Sequence, residues 1–258
     1  MMEGKDSVMI IDMKGTDSVV IINKDKFLLT SMQSVIDLAV KSKLVLFGGA
    51  VRDLLTDTIP TDLDFYTASR ANITNFKETA ACFFDVEKIK KSDYGSSIML
   101  LSKFNKEIKF KIDFTVNSNF IKGKNIDFDV NSLIYTDKNN IKTKNDKDNI
   151  FDILKNIREK KLIVTADLNK PGCEPHKIQA RLCKMLSRGW TLKNQTIEEL
   201  FKDENMIVKN STPCECNSCK TLINDTYVIV SKCCGKSYHS NCFIDKKINI
   251  CTSCNKYF

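Results

Sequence analysis

The stretch that most narrows what this chain can fold into is Leu46-Phe47-Gly48-Gly49-Ala50-Val51-Arg52-Asp53-Leu54-Leu55, followed at once by Pro60-Thr61-Asp62-Leu63-Asp64-Phe65. Leu44 to Phe47 is an apolar run of the length of a short buried strand. Gly48-Gly49 then turns the backbone with no Cβ to block a ligand, and Ala50 to Leu55 reads as a helix opening directly behind the turn. The N–H groups and positive dipole end of such a helix offer a seat for phosphate. Asp62 and Asp64, two residues apart, share one face of a strand. Two carboxylates so placed can hold two divalent metals against the attacking and leaving oxygens of an in-line phosphoryl displacement. A glycine pair alone is most often just a turn, and Asp-x-Asp alone is most often a solvated edge. The ordered combination carries the reading.

That order, strand, Gly-Gly, x-Val-Arg-Asp helix, then Asp-x-Asp, resembles the head domain of the class II tRNA nucleotidyltransferase and bacterial-type poly(A) polymerase family. The resemblance implies that Asp62 and Asp64 bind catalytic Mg²⁺ and that Gly48 and Gly49 receive the incoming triphosphate. Arg52 and Asp53 fall on the family's Arg-Asp pair, which reads either as a nucleotide contact or as an ion pair tying the helix to the sheet. In Phe110-Lys111-Ile112-Asp113-Phe114 one carboxylate sits among apolar neighbours. Asp113 is the candidate third carboxylate, as metal ligand or as general base for the attacking hydroxyl; an edge-exposed aspartate is the plainer alternative.

The segment Asp127-Phe128-Asp129-Val130-Asn131 resembles the family's Arg-Arg-Asp-Phe-Thr-Ile-Asn, whose polar residues contact ribose and phosphates. Asp127 and Asn131 align. Asn125 and Ile126 stand where the family has two arginines, and Lys122 and Lys124 are the nearest cations that could replace them. Where the family reads the base edge with Glu-Asp-x-x-Arg, this chain has Cys173, Glu174 and Lys177. Glu174 and Lys177 are thus the nucleobase candidates, and the family's base selectivity does not carry over.

At 258 residues the chain has room for one medium domain and a small one, and 42% hydrophobic residues suffice for a core. No apolar run approaches a membrane span. Met1 to Asp6 carries acids and no apolar h-region follows, which argues against a signal peptide and for a cytoplasmic or nuclear setting. The net charge of +8 suits polyanions such as NTP and RNA, although the excess lysine is spread along the chain as on any solvated surface. Of 11 cysteines, eight follow residue 213. Without a secretory signal, that density points to metal sooner than to disulfides.

Along the chain, Asp6 to Asp12 and Asp17 to Asn23 echo one another and predict two strands of a hairpin around Lys14-Gly15. A helix is expected from Thr30 or Ser31 to Lys41, another over Asn72 to Phe83, and strands over Phe84–Ile89, Ser96–Leu101 and Ile108–Val116. Tyr94-Gly95-Ser96-Ser97 sits where the family has a glycine turn. Asp137 to Asp148 is a polar run expected to be a loop. Ile150 to Ile157 reads as a helix and Leu162 to Val164 as a short strand. Pro175 opens a helix on which Lys177, Arg181, Lys184 and Arg188 form a basic stripe, either a track for phosphates or a solvated face. His176 beside that helix start reads as a surface residue. Thr196 to Glu204 predicts one more helix. The family resemblance covers roughly residues 28 to 200, without the long helical body that follows in the family.

Cys216-x2-Cys219, Cys233-Cys234, His239-x2-Cys242 and Cys251-x2-Cys254 have the spacing of zinc ligands. A span this short needs metal to supply folding energy. The order resembles a RING finger, which implies Cys216, Cys219, His239 and Cys242 on a first Zn²⁺ and Cys233, Cys234, Cys251 and Cys254 on a second. Either both adjacent cysteines bind, or Cys214 or water completes the second shell. RING fingers dock ubiquitin-conjugating enzymes, but Asn217, Ser218 and Thr252 occupy positions where that surface carries other residues, and its tryptophan is missing.

The expected fold class is α+β: a nucleotidyltransferase mixed-sheet head over residues 1–165, a helical neck over 166–210, and a small RING-like (treble-clef) zinc module over 211–258. The expected activity is template-independent, Mg²⁺-dependent transfer of a nucleoside monophosphate from an NTP to an RNA 3′ end. The rival readings are a RING-type ubiquitin ligase that uses the head as a binding platform, and a non-catalytic adaptor.

Overall fold

A computed structural model of the chain describes residues 19–20, 27–92, 95–103, 108–116, 126–136, 140–145, 148–170, 173–202, 206–245 and 254. Apart from Val19–Val20, the expected N-terminal hairpin lies outside the described residues, as do Tyr94, Lys122, Lys124, Asn125, Cys251 and Thr252. The chain forms two compact units, Met1–Ile126 with Val130–Arg158, and Asp127–Asp129 with Glu159–Phe258.

The first unit is a mixed α+β layer. Its elements are β1 (Val19–Val20), α1 (Phe27–Lys41), β2 (Val45–Phe47), α2 (Gly49–Leu54), β3 (Leu63–Thr67), α3 (Arg70–Ala80), β4 (Phe84–Ser92), β5 (Gly95–Ser102), β6 (Lys109–Val116), β7 (Leu133–Tyr135), β8 (Asn140–Thr143) and α4 (Ile150–Arg158). The strands make one eight-stranded sheet in the order β1-β8-β7-β2-β3-β6-β5-β4. Every pairing is antiparallel except β3 with β6, which is parallel. Parallel neighbours need a crossover, and α3, β4 and β5 provide it.

Apolar periodicity explains the helices. On α1, Met32, Val35, Ile36 and Ala39 fall on one stripe and are all buried. Ser69 caps α3 by accepting from the Ala71 N–H, and the helix buries Ile73, Phe76 and Ala80. Phe76 meets Phe65 of β3 and Phe114 of β6 at ring-centroid distances of 6.5 and 5.7 Å, an aromatic nucleus under the sheet. Strand alternation therefore assigns Leu63, Phe65, Ile112 and Phe114 to the helix-covered face. Asp62, Asp64, Lys111 and Asp113 belong to the other face.

One expected loop is a strand. Residues 140–143, inside the polar run, pair with β7 and β1 as β8. A single fully buried side chain, Ile141, anchors it, while Lys142 points to solvent. One apolar residue in four gives too little alternation to read from sequence.

The second unit contains β9 (Lys161–Leu162), α5 (Pro175–Ser187), β10 (Thr191–Leu192), α6 (Ile197–Leu200), β11 (Met206–Lys209), β12 (Cys214–Glu215), β13 (Leu222–Ile223), β14 (Tyr227–Val230), β15 (Ser237–Tyr238) and α7 (Ser240–Asp245). Strands β9 and β10 pair in parallel, β11-β14-β15 form an antiparallel sheet, and β12 pairs with β13. The expected helix over Thr196–Glu204 stops after one turn. Thr196 and Glu199 close a reciprocal capping box, but Phe201 leaves the helix and is buried. Helix α5 packs against α7 and β14: the His176 and Phe243 rings lie 6.5 Å apart, and Ser187 Oγ accepts the Tyr227 N–H at 3.2 Å.

Gly95 opens β5 against β6: a Cβ there would lie 2.2 Å from the Phe114 carbonyl oxygen. Gly95→Ala must push the two backbones apart and is expected to cost about 1–3 kcal/mol of stability. A urea midpoint equal to that of the unsubstituted protein would contradict this.

Candidate functional site

The acidic positions are brought together by strand register. Parallel pairing sets Asp64 opposite Asp113, so both side chains leave the sheet on the same side, one strand spacing apart. Two residues earlier the same register sets Asp62 beside Lys111. The Lys111 ammonium lies 2.8 Å from Asp113 Oδ2 and 3.5 Å from Asp62 Oδ2. Its pKa is held above the ordinary lysine value, chiefly by the hydrogen bond to Asp113. The three side chains keep 30 to 42% of their surface exposed, so the ledge is open to ligands. The alternation of β6 already puts Lys111 on the face of Asp113, a signal that the sequence reading passed over.

The glycine corner closes on the same end of the sheet. Antiparallel pairing sets Leu46 opposite Phe65, and two further residues bring Gly48 to the start of β3. Gly48 donates its N–H to the Leu133 carbonyl (3.0 Å). Its φ of 75° and ψ of −139° are open only to glycine, and among the described residues a Cβ there would meet nothing within 4 Å. No side chain caps α2. Strand spacing puts the corner about 10 Å from the β6 carboxylate.

Arg52 and Asp53 are buried, 4% and 8% exposed. Arg52 donates from Nε (2.8 Å) and Nη2 (2.5 Å) to Asp53 Oδ1, and from Nη1 to Asn131 Oδ1 (2.6 Å). The guanidinium also lies against Gly49, whose Cβ would come within 3.3 Å of Nη2. These three predicted residues thus form one internal network behind the corner.

The remaining nucleotide candidates lie in the second unit. Asp127 is ion-paired with Arg181. Glu174 is ion-paired with Lys177 at 2.6 Å, and that hydrogen bond holds the Glu174 carboxyl below its usual range. Two cations of the basic stripe, Lys177 and Arg181, are therefore engaged by carboxylates.

Among the described residues, two groups bring three or more potential metal-ligand atoms within 4.8 Å of one another: Cys216, Cys219, His239 and Cys242, and Cys233, Cys234 and Cys254. The aspartate ledge is more widely spread. His239 Nδ1 lies 3.5 Å from Cys219 Sγ and 3.9 Å from Cys242 Sγ, while Nε2 lies 3.2 Å from the Leu222 carbonyl oxygen. Donation from Nε2 to that carbonyl leaves Nδ1 as the ligand atom, the usual support for a metal-bound histidine. Thr221 Oγ1, 3.0 Å from Cys219 Sγ, draws that thiol down to about 6, toward the thiolate that zinc requires. The Cys3His set thus suits Zn²⁺. In the second cluster Cys233 and Cys254 sulfurs are 3.2 Å apart, and the expected partner Cys251 lies outside the described residues. Cys214 stands apart, packed on Cys216, Ile223 and Val228 with its sulfur 3.9 Å from Asn210 Oδ1. Neither Thr221 nor the Leu222 carbonyl could be picked out from cysteine spacing.

No known family's sequence pattern matches the chain, and a search of curated proteins finds no match. Among solved structures it is similar to the Thermotoga maritima CCA-adding enzyme complexed with tRNA (21% identity, 69% of this chain and 42% of that one, TM-score 0.49). It is also similar to the Bacillus stearothermophilus CCA-adding enzyme in complex with CTP (19% identity, 70% and 44%, TM-score 0.48). A CCA-adding enzyme with ATP gives 18% identity over 67% and 42%, with a TM-score of 0.48. The chain spans less than half the length of each.

Arg52→Met leaves Asp53 buried without its cation and is expected to destabilise the first unit by about 3–5 kcal/mol; chemical denaturation will measure it. Cys216→Ser is expected to remove one equivalent of zinc per chain, counted by elemental analysis of the purified protein. A chelator should lower the melting temperature of the unsubstituted chain.

Proposed function

We propose that the first unit transfers a nucleoside monophosphate from an NTP to the 3′-hydroxyl of an RNA. The observation that carries this reading is the in-register pair Asp64 and Asp113, with Asp62 beside it and the glycine corner on the next strand. The carboxylate oxygens are hard donors that suit Mg²⁺, and the Lys111 ammonium already finds a cation position between Asp62 and Asp113. Magnesium held by Asp62 and Asp64 would neutralise charge on the triphosphate and on the attacking oxygen.

The chain's own residues do the rest. The α2 N–H groups and the Gly48–Gly49 backbone seat the β- and γ-phosphates. Asp113 accepts the proton of the 3′-hydroxyl as the new O3′–Pα bond forms and pyrophosphate leaves. Arg52, Asp53 and Asn131 act through the backbone: their buried network keeps α2 and its glycine corner in place. With Glu174 and Lys177 paired to each other, base choice is expected to differ from that of the CCA-adding pattern.

The zinc module is proposed to be RING-like. Its support is the alternation of ligands along the chain: Cys216 and Cys219 join His239 and Cys242, skipping Cys233 and Cys234, which join Cys254.

Purified protein incubated with labelled NTPs, Mg²⁺ and total RNA is expected to label RNA 3′ ends. Asp62→Ala and Asp64→Ala should each reduce labelling at least about a thousandfold, within the range for loss of electrostatic stabilisation, without changing the melting temperature. Labelling that survives both substitutions would end the proposal.

A further inference from the structure

The acidic ledge carries its own cation. Lys111 and Asp113 are two residues apart on β6 and so share a face, and the parallel register carries the lysine across to Asp62 beside β3. Its ammonium lies 2.8 Å from Asp113 Oδ2 and 3.5 Å from Asp62 Oδ2. Asp64, opposite Asp113, adds a third carboxylate to the same face. Three like charges so close repel one another and draw in positive charge. A side chain rooted in the ledge meets that need at a high effective concentration. Its hold is also reversible. The ammonium is a point charge on a flexible stem, and 42% of the side chain's surface is exposed, so the stem can swing aside into solvent.

We propose that Lys111 is a built-in competitor for the divalent metal: it holds the ledge between Asp62 and Asp113 while the metal is away, and leaves when a divalent cation binds Asp62 and Asp64. This role rests on the metal site proposed above and makes Lys111 a positioning residue, not a catalytic one. In its resting place the lysine keeps Asp62 and Asp113 from splaying apart. It also weakens metal binding according to the fraction of time it holds the ledge. An ammonium seated about nine-tenths of the time lowers the apparent affinity about tenfold. A merely structural ion pair predicts otherwise, since a ledge that loses its tie would bind metal equally or less well.

The test titrates the full chain with Mn²⁺, which shares the preference of Mg²⁺ for carboxylate oxygens, and follows the free ion by electron paramagnetic resonance with no nucleotide present. Binding at the ledge is the part that Asp62→Asn removes. Lys111→Met is expected to tighten that part about tenfold, with the melting temperature as the check on folding, and Lys111→Gln should match it. Lys111→Arg keeps the charge and adds donors, and is expected to bind Mn²⁺ no more tightly than the unsubstituted chain. An affinity in Lys111→Met and Lys111→Gln that is equal or weaker, tightening in Lys111→Arg as well, or no binding that depends on Asp62 in any variant overturns the proposal. Labelled-NTP assays on the same preparations separate the two readings. Tighter Mn²⁺ binding in Lys111→Met without transfer by any variant sinks the transfer reaction and leaves the competition standing. Transfer with unchanged Mn²⁺ affinity sinks the competition alone.

Discussion

The parallel contact between β3 and β6 is the constraint on which the first unit turns. It is the one parallel pairing in an otherwise antiparallel sheet, and it alone sets Asp64 against Asp113. An antiparallel pairing at the same place would reverse the order of β6, so that Lys111 and Asp62 could not be neighbours in the same register. Beneath it, Phe65, Phe76 and Phe114 hold the two strands to α3. The aromatic nucleus on one face and the acidic ledge on the other are two consequences of the same alternation. Burial of the rings supplies the driving force, and the charged face is free to serve chemistry because it contributes little to that core.

Much of this was legible beforehand because it is local. The α1 stripe, the β5 and β6 alternation and the short apolar run of β2 each announce themselves within a few residues. Strand β8 did not, since its one buried residue, Ile141, sits in a lysine- and asparagine-rich run. Helix α6 was overestimated because burial of Phe201 wins over propensity. The division of labour within Arg-Asp was also out of reach: whether Arg52 faces a ligand or Asp53 depends on where Asn131 lies, far along the chain. The cysteine pairs were visible as ligands from spacing. The carbonyl that orients His239 was not, because any residue can supply one.

The second unit shows how a Cys3His cluster that suits zinc can be tied to an ordinary core. Helix α5 buries Ile178, Leu182, Met185 and Leu186, and it packs on β14 and α7, elements that stand between or beside the clustered cysteines and His239. The backbone that holds Cys216 and His239 therefore rests on apolar side chains from outside the cysteine-rich segment. With zinc bound as proposed, its loss would be felt along α5 as well as at the sulfurs, since the strands that cover the helix are short and have few bonds of their own.

The long excursion between β3 and β6 has a consequence for synthesis. As the chain leaves the ribosome, β3 emerges with its aspartates well before its parallel partner exists, and non-local pairing of this kind is slow to form. Until β6 is released, the edge of β3 that it will cover has no mate, and Phe65 lacks one of its ring neighbours. The nascent chain thus passes through a stage with an open strand edge and a partly exposed aromatic, the kind of surface that chaperones recognise. A fragment ending before residue 109 would be stranded at that stage, sticky and without its acidic pair.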